Sequence, residues 1–243
     1  MNTHDLFLET GPEQRETMVH VLTLPGCMLT GPTVAAALAA TPAVIQAFVA
    51  FQKRHGVAVE STPAFTTNVV AYDINSNTTG YDFALVTFPS ELADLTPAEI
   101  DQRIHWIRAL SSELSEWADR QTAAELDRVP EDGAWTARQI LVHMLEAQPG
   151  YVERILQTPF DLASTLSSVQ RGEMAYTQAF DHACDVIAAG INAATEDQRR
   201  NRIPFDDDIT GTLTRALRRT AEHIWEHLLE LSRRPGGPDL GLA

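Results

Sequence analysis

Cysteine is scarce in this chain. Cys27 and Cys184 are the only two among 243 residues and lie far apart in the sequence. Such a pair builds neither a disulfide framework nor a cysteine-type zinc knuckle, and its simplest role is that of two small buried side chains. Positive charge is also in short supply, with 18 Lys and Arg against 33 Asp and Glu, for a formal net charge of −15. Nucleic-acid binding needs clustered cations to neutralise phosphates, so the balance argues against it, and equally against an anionic membrane surface. No apolar run approaches the length of a bilayer span, and "MNTHDLFLET" lacks the basic start and apolar middle of a secretory signal. The expected location is therefore cytoplasmic. No internal repeat or low-complexity segment is visible, and the end "PGGPDLGLA" is expected to fray. What is present is a 44% hydrophobic fraction on a chain long enough for one large or two ordinary domains.

The hydrophobic period changes along the chain. Residues 1–92 read as a small α+β domain, residues 93–236 as an all-α up-down four-helix bundle, and residues 237–243 as a tail. In the first part "DLFLET" and "TMVHVLTL" are strand-like, with a turn at Gly11-Pro12. "LPGC" turns into the short strand "MLTGPT". A helix follows, with Val34, Leu38, Ile45, Phe48 and Phe51 near the helical period, ending before Gly56. Pro42 is expected to bend or interrupt it. Two more strands are expected at "TTNVVAYDI" and "YDFALVTF", separated by the turn-rich "NSNTTG".

From Thr96 the pattern is that of long helices. Thr96, Pro97 and Glu99 write a capping box, and Ile100, Ile104, Ile107, Leu110, Leu114 and Trp117 form one stripe behind it. Thr136 and Gln139 write a second box, with Trp135 placed to staple onto Ile140. Ile140, Met144, Tyr151 and Ile155 share one side of that helix, and Pro149 should kink it. A third helix is expected over about Ser164–Ala194 and a fourth over about Thr212–Arg233. Four amphipathic helices in sequence imply a bundle whose sites are built from facing side chains.

On the last of these helices His223 and His227 stand four residues apart, so both imidazoles leave one face. Placed on a helical wheel, Leu213, Leu217, Thr220, Ile224 and Leu231 define the inward arc, and both histidines fall at its edge. His143 takes the corresponding place on the second helix, beside Ile140 and Ala147. Three neutral imidazoles without a fourth protein ligand suit a divalent ion with an open position, where water or a thiol would lose its proton near neutral pH. Glu222 and Glu226 flank the pair and can orient an imidazole through its second nitrogen. The plainer alternative is that these are buried histidines paired with acids of the bundle.

"WTARQILVHMLEAQPGYVERIL", followed much later by "RRTAEHIWEHLLEL", resembles the DinB-like superfamily, which includes mycothiol- and bacillithiol-dependent enzymes. Its pattern is a Trp-Ser/Thr helix start leading to a first His, then an HxxxH on the last helix. The resemblance covers about Thr96–Arg233 and implies a metal triad at His143, His223 and His227. It further implies zinc or nickel as the ion, a homodimer, and a small-molecule or low-molecular-weight thiol substrate. Thiol S-transferase, isomerase and hydrolase activities all occur in the family. "MVHVLTLPGCMLTGPTVAAALAATPAVIQAFVAF" resembles the HicB-like antitoxin fold, with its strand, "PGC" turn, G-x-T turn and Ala-rich helix, over about residues 5–60. The DNA-binding tail usual in such antitoxins is absent. A small module for dimerisation or for covering the bundle mouth is the simpler reading of this half.

Other candidates read more plainly. His20 alternates with Val19 and Val21 and is expected at the surface, as are His105 and His182. Cys184 lies near an inward arc with Phe180 and Ile187, as a core thiol or, less simply, a ligand. Asp206, Asp207 and Asp208 precede the fourth helix, where Asp208 or Thr210 is expected to cap it, and they lack the spacing of a calcium loop. Two functions stand side by side: a metal-dependent thiol transferase or hydrolase, and a non-catalytic metal-containing binding or stress-response protein whose first half mediates assembly or ligand sensing.

Overall fold

The computed structural model describes residues 2–11, 15–57, 64–74, 86–206 and 209–242. The chain forms two compact units, residues 1–86 with 239–243, and residues 87–238.

The first unit holds strands β1 (Asn2–Thr10), β2 (Arg15–Val21) and β3 (Met28–Thr33), helix α1 (Val34–Arg54) and strand β4 (Phe65–Ile74). The sheet order is β3-β2-β1-β4; β4 runs parallel to β1 and the other pairings are antiparallel. The "LPGC" turn is closed by Val21 N donating to Cys27 O at 3.0 Å, and Cys27 is fully buried. Thr33 caps α1, its hydroxyl accepting from Ala36 N. Gly31 lets that helix lie close, because a Cβ there would stand 2.8 Å from the Ala37 backbone nitrogen.

Four expectations change here. Helix α1 runs unbroken through Pro42. Although no long apolar run stands out in the letters, α1 is long and apolar enough to cross a membrane by length and composition. Alanines between the larger residues supply that apolarity, and α1 packs on β2 and β3 while burying Val44, Ile45, Phe48 and Phe51. His20 is 1% exposed and lies 2.7 Å from the buried carboxylate of Glu9. It does face away from Val19 and Val21, but β2 is buried on both of its faces, with Met18 and His20 as enclosed as the two valines. The expected strand at "YDFALVTF", the "NSNTTG" turn and Pro12 lie mostly or wholly outside the described residues. The tail is not frayed at Leu240, which is 2% exposed: an apolar residue near a chain end finds burial when a core surface is within reach.

The second unit opens with a 3-10 turn (Pro89–Leu92), followed by α2 (Pro97–Asp119), α3 (Ala123–Leu126), α4 (Ala137–Leu156), α5 (Ala163–Gln170), α6 (Tyr176–Ala193) and α7 (Glu196–Arg199). A two-stranded ribbon of β5 (Ile203–Asp206) and β6 (Ile209–Gly211) leads to α8 (Leu213–Ser232). Capping boxes at Thr96/Glu99 and Thr136/Gln139 start α2 and α4, and the same signature at Thr122/Glu125 and Thr195/Gln198 starts the short helices α3 and α7. The four long helices pack chiefly in the cyclic order α2, α6, α4, α8, so α2 and α4 lie across from one another.

The expected third helix is two helices. After α5, Gly172 at φ +70 takes the left-handed position; its N–H donates to Val169 O, and Glu173 N donates to Ser168 O. That is the paired closing pattern of a Schellman stop, and it ends the helix. Helix α4 runs through Pro149 to Leu156. Thr212 caps α8, its hydroxyl accepting from Arg215 N, in place of Asp208 or Thr210. Helix α8 is enclosed along most of its length: every residue from Leu213 to Trp225 is buried, including Arg215, Arg218, Arg219 and Glu222. The guanidinium of Arg218 is bonded to both Glu91 and Glu222 and stacks 4.2 Å from the Phe88 ring centroid.

Candidate metal centre

His143 stands in the second turn of α4, while His223 and His227 stand on successive turns of α8, a helix that packs directly on α4. The structure brings these three together. Nε2 of His223 lies 3.2 Å from Nε2 of His143 and 3.2 Å from Nε2 of His227. One ligand atom from each of the three lies within 4.8 Å of the other two, a group that can hold a metal ion. Nitrogens bound at about 2.0–2.1 Å around a tetrahedral ion stand about 3.3 Å apart, so these two spacings fit such an ion.

The outer nitrogens support the same orientation. His227 Nδ1 lies 2.9 Å from Glu230 Oε2; an ionised carboxylate only accepts, which puts the proton on Nδ1 and leaves the lone pair on Nε2. His223 Nδ1 lies 3.3 Å from the Tyr151 hydroxyl. His143 is held edge-on by the Trp135 ring at 4.9 Å between centroids. Burial works against the charge of Glu230, but bonds from His227 and Arg234 outweigh it and hold the carboxyl below its ordinary range. Arg234 also donates to the Trp135 carbonyl at 2.8 Å, tying α8 to the start of α4.

Electrostatics keep at least two of the imidazoles neutral. His223 is lowered well below 6.5, first by burial and then by Arg219, His227 and His143. His143 is lowered too, by burial first and then by His227, with Glu226 opposing and Arg219 adding. A neutral imidazole is the ligand form. His223 is 7% exposed, whereas His143 and His227 are only partly buried, so the group is approached from solvent on their side. Among the described residues no carboxylate or thiol joins the three as a fourth member.

The orienting groups differ from those expected. Glu222 is bonded to Arg218 and Glu226 lies 3.2 Å from Arg219; the acid on an imidazole is Glu230, three residues after His227. Tyr151 was legible only as an inward residue, and Trp135 packs on His143. Cys184 stays outside the group: its Sγ donates to Ser111 Oγ at 3.6 Å, and burial pushes its thiol up to about 11. His105 is exposed, and His182 is exposed with its Nδ1 2.8 Å from Thr165 Oγ1. Asp207 and Asp208 lie outside the described residues.

The sequence profile of the DinB superfamily matches residues 106–231, a span that contains all three histidines. The chain belongs to the DinB superfamily. Among solved structures, one similar to it is YfiT from Bacillus subtilis, described as "a probable metal-dependent hydrolase with an unusual four-helix bundle topology". That likeness has 21% identity and a TM-score of 0.42, covering 61% of this chain and 93% of that one. No curated protein matches the chain. Within this DinB-superfamily chain the profile leaves the strand-rich first unit unmatched and covers α4 and nearly all of α8, which carry the histidine group.

Proposed function

We propose that this protein is a metal-dependent enzyme of hydrolase or thiol S-transferase type in which His143, His223 and His227 hold one divalent ion, zinc or nickel. The observation that carries this reading is the convergence of three Nε2 atoms whose rings are turned by groups on their far sides, Glu230 and Tyr151 at Nδ1 and Trp135 against His143. The ion supplies Lewis acidity, lowering the pKa of a water or thiol that reaches its free side. The chain supplies the rest. Glu230 sets the tautomer of His227, Tyr151 fixes the plane of His223, and burial keeps His223 and His143 neutral and ready to bind.

The finer readings belong to the same proposal. The long helices form an up-down four-helix bundle over residues 93–236. The unit of residues 1–92 is HicB-like, a reading supported by its strand, "PGC" turn, strand, capped helix and strand in that order. It serves assembly or ligand sensing, in a cytoplasmic homodimer that takes a small molecule or a low-molecular-weight thiol.

The test is elemental analysis of protein purified without a nickel column, comparing wild type with His143→Ala and His223→Ala. Near-stoichiometric metal in wild type and its loss from both variants is the expected result, followed by a screen of thiol transfer and hydrolysis on the loaded protein. Metal absent from wild type, or unaffected by both substitutions, returns the histidines to a packing role.

A further inference from the structure

Helix α8 buries three arginines, and two of them, Arg218 and Arg219, are adjacent in sequence but differ in their pairing. Arg218 is bonded to both Glu91 and Glu222. Arg219 is 8% exposed, and its Nη2 lies 3.2 Å from Glu226 Oε2, but its Nη1 is buried with no hydrogen-bond partner among the described residues. A buried guanidinium donor without an acceptor forfeits the hydrogen bonds it made to water.

Arg219 lies one helical turn before His223, on the same face, about 6 Å away along the helix surface. Its charge acts on both His223 and His143. Burial works against that charge, but Glu226, Tyr151 and Glu222 more than offset it, so the guanidinium stays cationic. The two carboxylates nearest the histidines are already engaged, Glu226 with Arg219 and Glu230 with His227 and Arg234. A divalent ion on the histidines would therefore leave the site with excess positive charge beside a guanidinium whose Nη1 is unpaired among the described residues. A buried cationic N–H donor left open on one arm of the fork favours an anionic acceptor such as a carboxylate.

We propose that Arg219 is the anion-recognition residue of this site, and that the ligand is a small bifunctional molecule with a carboxylate for Arg219 and a donor atom, thiol or water-derived, a few bonds away at the histidines. The inference rests on the metal reading above. It also gives an acidic protein a local means of drawing in an anionic substrate that its surface charge would repel.

The test uses cobalt-substituted full-length protein and compares 3-mercaptopropionate with the neutral 2-mercaptoethanol through the thiolate-to-cobalt absorption. The expected result is about tenfold or greater preference for 3-mercaptopropionate in wild type, falling to near parity in Arg219→Gln with 2-mercaptoethanol affinity kept. Parity in wild type, or an unchanged preference in Arg219→Gln, overturns the proposal. Should Arg219→Gln not fold, Arg219→Lys replaces it: the preference must fall because lysine has no planar fork, and full retention overturns the inference. If cobalt does not bind at all, the metal reading fails by itself, and the anion site is then read on metal-free protein. A Tm rise with propionate but not 1-propanol, lost in the variant, sustains the anion site alone; no rise overturns it.

Discussion

His227 and Glu230 are three residues apart, and their 2.9 Å contact determines which imidazole nitrogen is free. Replacing Glu230 by Gln keeps the size but removes the charge that holds the proton on Nδ1. Metal affinity should fall about 10- to 100-fold with the fold intact, as read by competition with a chelator of known affinity. A pH effect belongs to the same residues. His143 and His223 bind protons less readily folded than unfolded, so below about pH 6.5 the unfolded chain holds more protons and stability falls as pH falls. Metal-free wild type should therefore lose Tm steadily between about pH 6.5 and pH 5, and His223→Ala should show a shallower slope. Equal slopes would mean that His223 is not the buried neutral group described. The spacing of His223 and His227 and the inward edge of His143 were legible because each is a local helical periodicity. Glu230 and Arg219 carry no such mark, because a charged residue on a helix face is ordinarily solvated, and it is their place beside the histidine group on a largely buried α8 that gives these two a task.

At the scale of elements, helix starts were the most readable feature and one helix stop the least. Thr136→Ala should cost about 1 kcal/mol in denaturant unfolding, since the Thr136 hydroxyl accepts from Gln139 N at the start of the helix that carries His143. Gly172→Ala should cost a similar amount, about 1 kcal/mol, because φ +70 is strained for any residue with a Cβ. If Gly172→Ala were neutral, the division between α5 and α6 would owe nothing to this stop. The division escaped the sequence reading because apolar residues recur at helical spacing on both sides of the break. His20 shows the converse: alternation on β2 correctly separates it from Val19 and Val21, while only the neighbouring layers decide that both faces are dry.

For the whole molecule, the buried Arg218 couples α8 to the chain just before α2. Glu91→Ala would remove one of the two carboxylates bonded to Arg218 and should cost about 3 kcal/mol, far more than a surface pair, as measured by chemical denaturation of the full chain. A loss below about 1 kcal/mol would mean that the pair is screened by water. The net charge of −15 makes a further expectation: duplex DNA at physiological salt should show no mobility shift with this protein. A shift would assign the first unit a nucleic-acid role that its charge argues against.

The sequence by itself determined the change from short strands to long helices, the capping boxes, the register of the two α8 histidines and the family pattern around His143. All of these depend on interactions within a turn or two of chain, where spacing is geometry. Tertiary structure alone decided the cyclic order of the long helices, the enclosure of α8 on both faces, the burial of His20, and the bond from Arg218 to Glu91. Those outcomes depend on which distant segment covers a face, and burial changes the cost of a charge or a hydrogen bond far more than local sequence does.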